Sequence, residues 1–182
     1  MRRDITWFQD FLKVYNGSNS FVHKPLCEGM IVELDASLTG MGAVFGKWVY
    51  KVSLLNVSMA TDMSIVHLEM WNILVACKIW GTFWKKQQIT IKCDNLAVVI
   101  VLNKGGTKDS MLATLARNIW FEMAKQDFQL VVKHIEGKAN LVADLLSRWD
   151  QNTDSCEKLA QLVPGYRWSE VCDEQLVINH CI

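Results

Sequence analysis

The sequence predicts an α/β domain, a five-stranded mixed sheet flanked by helices. Three observations lead there. Segments of alternating period follow one another as β-β-β-α-β-α-α-β-α, which pairs a leading antiparallel set with later helix-connected strands. Residues 66–84 are apolar nearly all round at helical length, as a helix buried against a sheet must be. The 182 residues are 51% hydrophobic and 21% charged, a globular balance with enough chain for a sizeable core.

Each element has a local cause. Ile5, Phe8, Phe11, Leu12 and Tyr15 recur at helical spacing, giving an amphipathic helix over 5–15. Asn16-Gly17-Ser18-Asn19-Ser20 reads as a turn, with Pro25 soon after. Strands are expected over 30–36, 43–45 and 48–53. Ser37 to Gly42 turns the chain between the first two, and Gly46-Lys47 suits a tight hairpin between the next. After the 66–84 helix come a strand at 88–93, a short helix at 95–102, a loop at 104–108 and a helix at 109–125. A strand at 128–135 and a helix at 140–148 complete the pattern.

The sequence divides into an N-terminal helix and linker (1–28), a main domain (29–149) and an acidic C-terminal tail (150–182). No internal repeat or low-complexity tract is found. Net charge is zero, but residues 1–149 hold 17 bases and 13 acids, a mildly basic balance compatible with phosphate binding without requiring it. Among eight tryptophans, several are expected in the core and one or two at a partner surface. The six cysteines, Cys27, Cys77, Cys93, Cys156, Cys172 and Cys181, form no CxxC pair and read as reduced thiols. The N-terminus lacks the apolar run of a signal peptide, and no stretch approaches a membrane span. A soluble intracellular protein is expected, in nucleus or cytoplasm alike.

Four carboxylates carry the chemistry. Asp35 ends the first expected strand and Asp94 the fourth. Were those strands parallel neighbours, both side chains would stand at the sheet edge where open α/β sheets bind ligands. Taken singly, either Asp is better explained as a turn residue. Glu69 shares its helix face with Ile73, Ala76 and Trp80, and an ionised group there needs a cation or donor; pairing with a lysine at the edge of the face is the alternative. Asp144 lies between Leu141 and Leu145 on the last helix, one turn before Arg148, and alone reads as a solvated or ion-paired residue. It gains weight from His134, Gly137 and Asn140 in the same strand–loop–helix segment. A histidine leading into a loop can shuttle protons near neutral pH, though a lone strand histidine is more often structural. Converging carboxylates suit two Mg²⁺ ions, with Mn²⁺ as a substitute, because Mg²⁺ prefers oxygen ligands. Lys104 and Lys108, flanking Gly105-Gly106, are candidate phosphate contacts or else a solvated loop.

Together, Leu34-Asp35-Ala36-Ser37, His67-Leu68-Glu69-Met70, Cys93-Asp94-Asn95 and Asn140-Leu141-Val142-Ala143-Asp144-Leu145-Leu146-Ser147-Arg148 resemble the motifs of the ribonuclease H family. The run from His134 to Asn140 is similar to the ribonuclease H end of gypsy-type and DIRS-type retroelement polyproteins. The DIRS-type similarity extends to Trp7, Tyr15-Asn16-Gly17, Ile79-Trp80-Gly81, Asn103-Lys104 and Lys108-Asp109, covering about residues 5–150. The resemblance implies a ribonuclease H-like fold and cleavage of the RNA strand of an RNA–DNA hybrid. It implies Asp35, Glu69, Asp94 and Asp144 as metal ligands, and His134 in proton transfer or product release. An attached or associated reverse transcriptase and recombinase are the implied partners. Leu34 stands where a polar residue often precedes the first Asp, and Glu33 adds an acid beside it. Integrases and transposases end their triad in Glu, unlike Asp144, and proofreading exonucleases open with Asp-x-Glu, the reverse of Glu33-Leu34-Asp35. The rival of a different class is a non-catalytic retroelement remnant that binds nucleic acid or a protein.

Overall fold

The computed structural model describes residues 2–15, 30–151 and 153–179. The turn expected at 16–20, Pro25, Cys27 and Cys181 lie outside them. Helix α1 (Arg2–Val14) leads to strands β1 (Ile31–Ala36), β2 (Gly40–Phe45) and β3 (Trp48–Ser53). Then come α2 (Ile65–Trp80), β4 (Gln88–Cys93), α3 (Leu96–Lys104), α4 (Ser110–Gln126), β5 (Gln129–His134) and α5 (Leu141–Ser147). Helix α6 (Ser155–Leu162), strand β6 (Arg167–Trp168) and helix α7 (Asp173–Leu176) follow.

The sheet order is β5-β4-β1-β2-β3-β6. Strands β1, β2 and β3 run antiparallel in sequence, while β4 lies parallel to both β1 and β5. The β1–β4 pairing aligns Glu33 with Lys92, so the C-terminal ends of both strands reach the same rim. Alternation along β1 buries Val32, Leu34 and Ala36 against α2 in the main core, whereas Asp35 reaches Ser147 of α5. Helix α2 is buried from Leu68 to Cys77 and again at Trp80. A second, smaller cluster joins Val44 and Val49 to Leu145, Leu146, Leu159 and Val163.

Three expectations need correction. The sheet has six strands rather than five: β6 pairs parallel with β3, setting Trp48 opposite Arg167 and Val49 opposite Trp168. A two-residue strand carries no periodicity, so nothing in 150–182 announces it. Those residues also fold back on the domain, where Trp71 Nε1 donates to the Leu176 carbonyl, Trp80 Nε1 donates to Ser169 Oγ, and Ile178 is buried in the core. The second strand begins at Gly40, not Ala43. Gly40 and Gly42 are not turn residues but the places where the end of α5 touches the sheet, and a Cβ on Gly40 would lie 2.6 Å from the Ser147 carbonyl oxygen. The long helix stops at Trp80 and tightens into a 3-10 turn over Gly81–Trp84, with Gly81 packed against the Gln126 amide.

Capping residues set the remaining bounds. Asn95 accepts from Ala97 N to start α3, and Asp109 accepts from Leu112 N at 2.8 Å to start α4. Gly46, at φ +59, makes the hairpin between β2 and β3. In α1, Trp7 stacks on Phe11 at 4.8 Å between centroids. Cys77, Cys93, Cys156 and Cys172 are free. Among the described residues, no helix is long and apolar enough to cross a membrane.

Candidate metal centre

Parallel pairing of β1 and β4 brings Asp35 and Asp94 to one rim, each at or just beyond the end of its strand. Glu69 arrives there from the second turn of α2, and Asp144 from the first turn of α5. Ligand atoms of Glu69, Cys93 and Asp94 all lie within 4.8 Å of one another. Asp35 is 6% exposed and Glu69 5%, while Asp94 and Asp144 are half-buried.

Burial is the main force on the two inner carboxyls. It pushes Asp35 up to about 6, opposed by the Ser147 hydroxyl and reinforced by the negative charge of Asp94 and Asp144. Burial likewise pushes Glu69 up to about 7, opposed by Cys93 and Asn95 and reinforced by Asp94 and Asp35. Charge thus reaches Asp35 from Asp94 and Asp144, and Glu69 from Asp94 and Asp35, while Asp35 and Asp144 stand outside the close group of Glu69, Cys93 and Asp94. Asp35 and Glu69 therefore favour protonation unless a cation joins them.

Asp35, Glu69 and Asp144 each have at least one oxygen held by a side-chain donor. Ser147 Oγ donates to Asp35 Oδ2 at 2.5 Å. Cys93 Sγ donates to Glu69 Oε2 at 3.1 Å, and Asn95 Nδ2 to Glu69 Oε1 at 3.3 Å. Arg148 Nε donates to Asp144 Oδ1 at 2.7 Å. Asp94 differs: its Oδ1 is buried with no hydrogen-bond partner among the described residues. An unmatched buried carboxylate oxygen is costly, and a divalent cation would satisfy it. An oxygen-rich donor set fits a hard ion such as Mg²⁺ or Mn²⁺, and these residues can hold one.

The remaining candidates divide. His134 ends β5 beside the cluster, its Nε2 3.1 Å from the Asp94 carbonyl oxygen. Because that oxygen only accepts, Nε2 carries the proton and Nδ1 is left as an acceptor. Lys104 ends α3 and Lys108 lies in the loop before α4, and both are exposed. Glu33 is occupied by Lys92, at 2.7 Å.

Sequence reasoning assigned no role to Ser147, Cys93, Asn95, Arg148, Asn72 or Asn140. Asn72 donates to the carbonyls of Asp35 and Gly42, and Asn140 donates to that of Leu34. The signal available for Ser147 was its place in the run that ends the Asp144 motif, and for Arg148 also its spacing one turn after Asp144.

The family described as reverse transcriptase-like matches residues 28–150. The chain belongs to the reverse transcriptase-like family. Within it, this is a ribonuclease H-like domain. Its fold is similar to that of RNase H1 from the halophilic archaeon Halobacterium salinarum NRC-1. The TM-score is 0.50 at 14% identity, over 70% of this chain and 97% of that one. At that identity the likeness concerns fold alone. No curated protein matches the sequence. The family match spans all four carboxylates and ends as the C-terminal segment begins, so α6, β6 and α7 lie outside it.

Proposed function

We propose that this reverse transcriptase-like domain is an endonuclease that hydrolyses the RNA strand of an RNA–DNA hybrid during reverse transcription of a retroelement. The observation that carries the reading is the buried, unpartnered Asp94 Oδ1 beside Glu69, in a cluster whose inner acids are already strained toward protonation. Asp35, Glu69, Asp94 and Asp144 would hold two divalent cations, Mg²⁺ or Mn²⁺. Such a pair, when bound, supplies an activated water, a clamp on the scissile phosphate and charge stabilisation for the leaving 3′ oxygen.

The chain's own residues prepare that chemistry. Ser147, Cys93, Asn95 and Arg148 fix one oxygen or more of their carboxylates, so little reorganisation is needed when a substrate arrives. His134, oriented by the Asp94 carbonyl, takes or returns a proton at Nδ1. Lys104 and Lys108, both exposed, would contact backbone phosphates. Substrate choice would rest on 2′-hydroxyls and duplex shape rather than base sequence. An attached reverse transcriptase and recombinase would supply part of the hybrid affinity, since the domain's net charge is small.

Calorimetric titration of Mn²⁺ tests this reading, comparing the wild type with Asp94→Asn. Binding by the wild type, with at least tenfold loss in the variant, is expected. Absence of binding in the wild type, together with unchanged affinity for a hybrid in metal-free buffer, would favour the non-catalytic remnant.

A further inference from the structure

We propose that Ser147 is a positioning residue that sets the Asp35 carboxylate for metal binding. This inference rests on the metal-centre reading above.

Ser147 is the last residue of α5 and is 2% exposed. Its Oγ lies 2.5 Å from Asp35 Oδ2 and 3.0 Å from the Asp144 carbonyl oxygen. A hydroxyl has one proton, and the shorter contact, to a charged acceptor, takes it. One side chain therefore spans the two elements that deliver Asp35 and Asp144. Its own backbone is held as well, because Ser37 Oγ donates to the Ser147 carbonyl at 2.9 Å.

The approach that permits this is built into β2. Beneath α5 the strand carries Gly40 and Gly42, and any Cβ there would collide with the Leu146–Ser147 backbone. Larger residues would lift α5 from the sheet and break the contact with Asp35. On the opposite face, Asn72 of α2 donates to the Asp35 carbonyl at 2.7 Å. Asp35 is thus held by its backbone from one side of the sheet and by Oδ2 from the other. With Oδ2 engaged, Oδ1 is the oxygen left for a cation, and the serine fixes which way it turns. Residues that orient a ligand in this manner change metal affinity by roughly 10–100-fold when removed.

The test compares wild type, Ser147→Ala and Ser147→Cys, which keeps the size but offers a weaker donor. Three quantities are read: the Mn²⁺ dissociation constant by calorimetry, the Mg²⁺ concentration at half-maximal hybrid cleavage, and the midpoint of thermal unfolding. Ser147→Ala is expected to raise the first two by roughly tenfold or more. Cleavage at saturating Mg²⁺ should recover to within a few-fold, a split that a general loss of structure would not produce. Ser147→Cys should move the same way by less, and it carries the test if Ser147→Ala does not fold. Wild-type affinity in the folded variants would overturn the role of Ser147. Failure of the wild type to bind any divalent cation would instead overturn the metal centre itself.

Discussion

Gly137 lies directly against Asp94: a Cβ on Gly137 would be 3.0 Å from Asp94 Oδ2. The loop after β5 therefore forms one wall of the carboxylate cluster, with His134 and the Asp94 carbonyl joined behind it. Any side chain at this glycine pushes on the aspartate whose other oxygen is unpartnered.

Gly137→Ala should weaken Mn²⁺ binding several-fold, and Gly137→Val should weaken it further. The residue is exposed, so the unfolding midpoint should stay within a few degrees of wild type. Calorimetry beside thermal denaturation separates the two effects.

The inner acids make stability depend on pH in a predictable direction. Asp35 and Glu69 titrate at about 6 and about 7 in the fold, against 3.8 and 4.5 without it. Between those limits the folded metal-free protein binds more protons than the unfolded chain. Stability is then greatest at the acid end of the window and falls as pH rises from about 4 through about 7, by about 6 kcal/mol at most. Saturating Mg²⁺ should flatten that slope. Urea titrations at several pH values, with EDTA or with Mg²⁺, check it. A metal-free stability that rises over the same range would contradict the cluster.

Gly42→Ala should destabilise the fold by about 1–3 kcal/mol, since the added methyl overlaps Leu146 Cβ and the Ser147 nitrogen. Because the same overlap lifts α5, the loss should be accompanied by weaker metal binding. Urea denaturation and calorimetry on one preparation measure both.

How much of this was legible in the sequence depends on range. The strand ends that carry Asp35 and Asp94 declare themselves by period, but their parallel pairing is decided by tertiary contacts that local signals leave open. The burial of Glu69 follows from Ile73, Ala76 and Trp80 on its face. Gly40 and Gly42 misled, because a glycine needed for close helix approach looks the same in sequence as one that turns the chain. The donors to the carboxylates were hidden for a related reason. Ser147 is separated from Asp35 by 112 positions, and a serine near a helix end has many local explanations. Strand β6 has only two residues, so its pairing with β3 is decided by tertiary contacts alone.

The C-terminal segment contributes to the core it covers. Ile178 is 4% exposed within the main cluster, and Asn118 and Asn179 exchange hydrogen bonds at 3.1 and 3.2 Å. Ile178→Ala should cost about 2–4 kcal/mol in urea denaturation. A change below about 0.5 kcal/mol would show that the segment does not pack this way in solution.

The most direct measurement is single-turnover cleavage of an RNA–DNA hybrid labelled on either strand, at protein concentrations well above the hybrid. With Mg²⁺ or Mn²⁺, the wild type should cut the RNA strand alone, leaving a 3′-hydroxyl at the break, and Asp94→Asn should cut neither. Equal cutting of the DNA strand, or RNA cleavage that persists in EDTA, would contradict an account built on paired metals and four converging carboxylates.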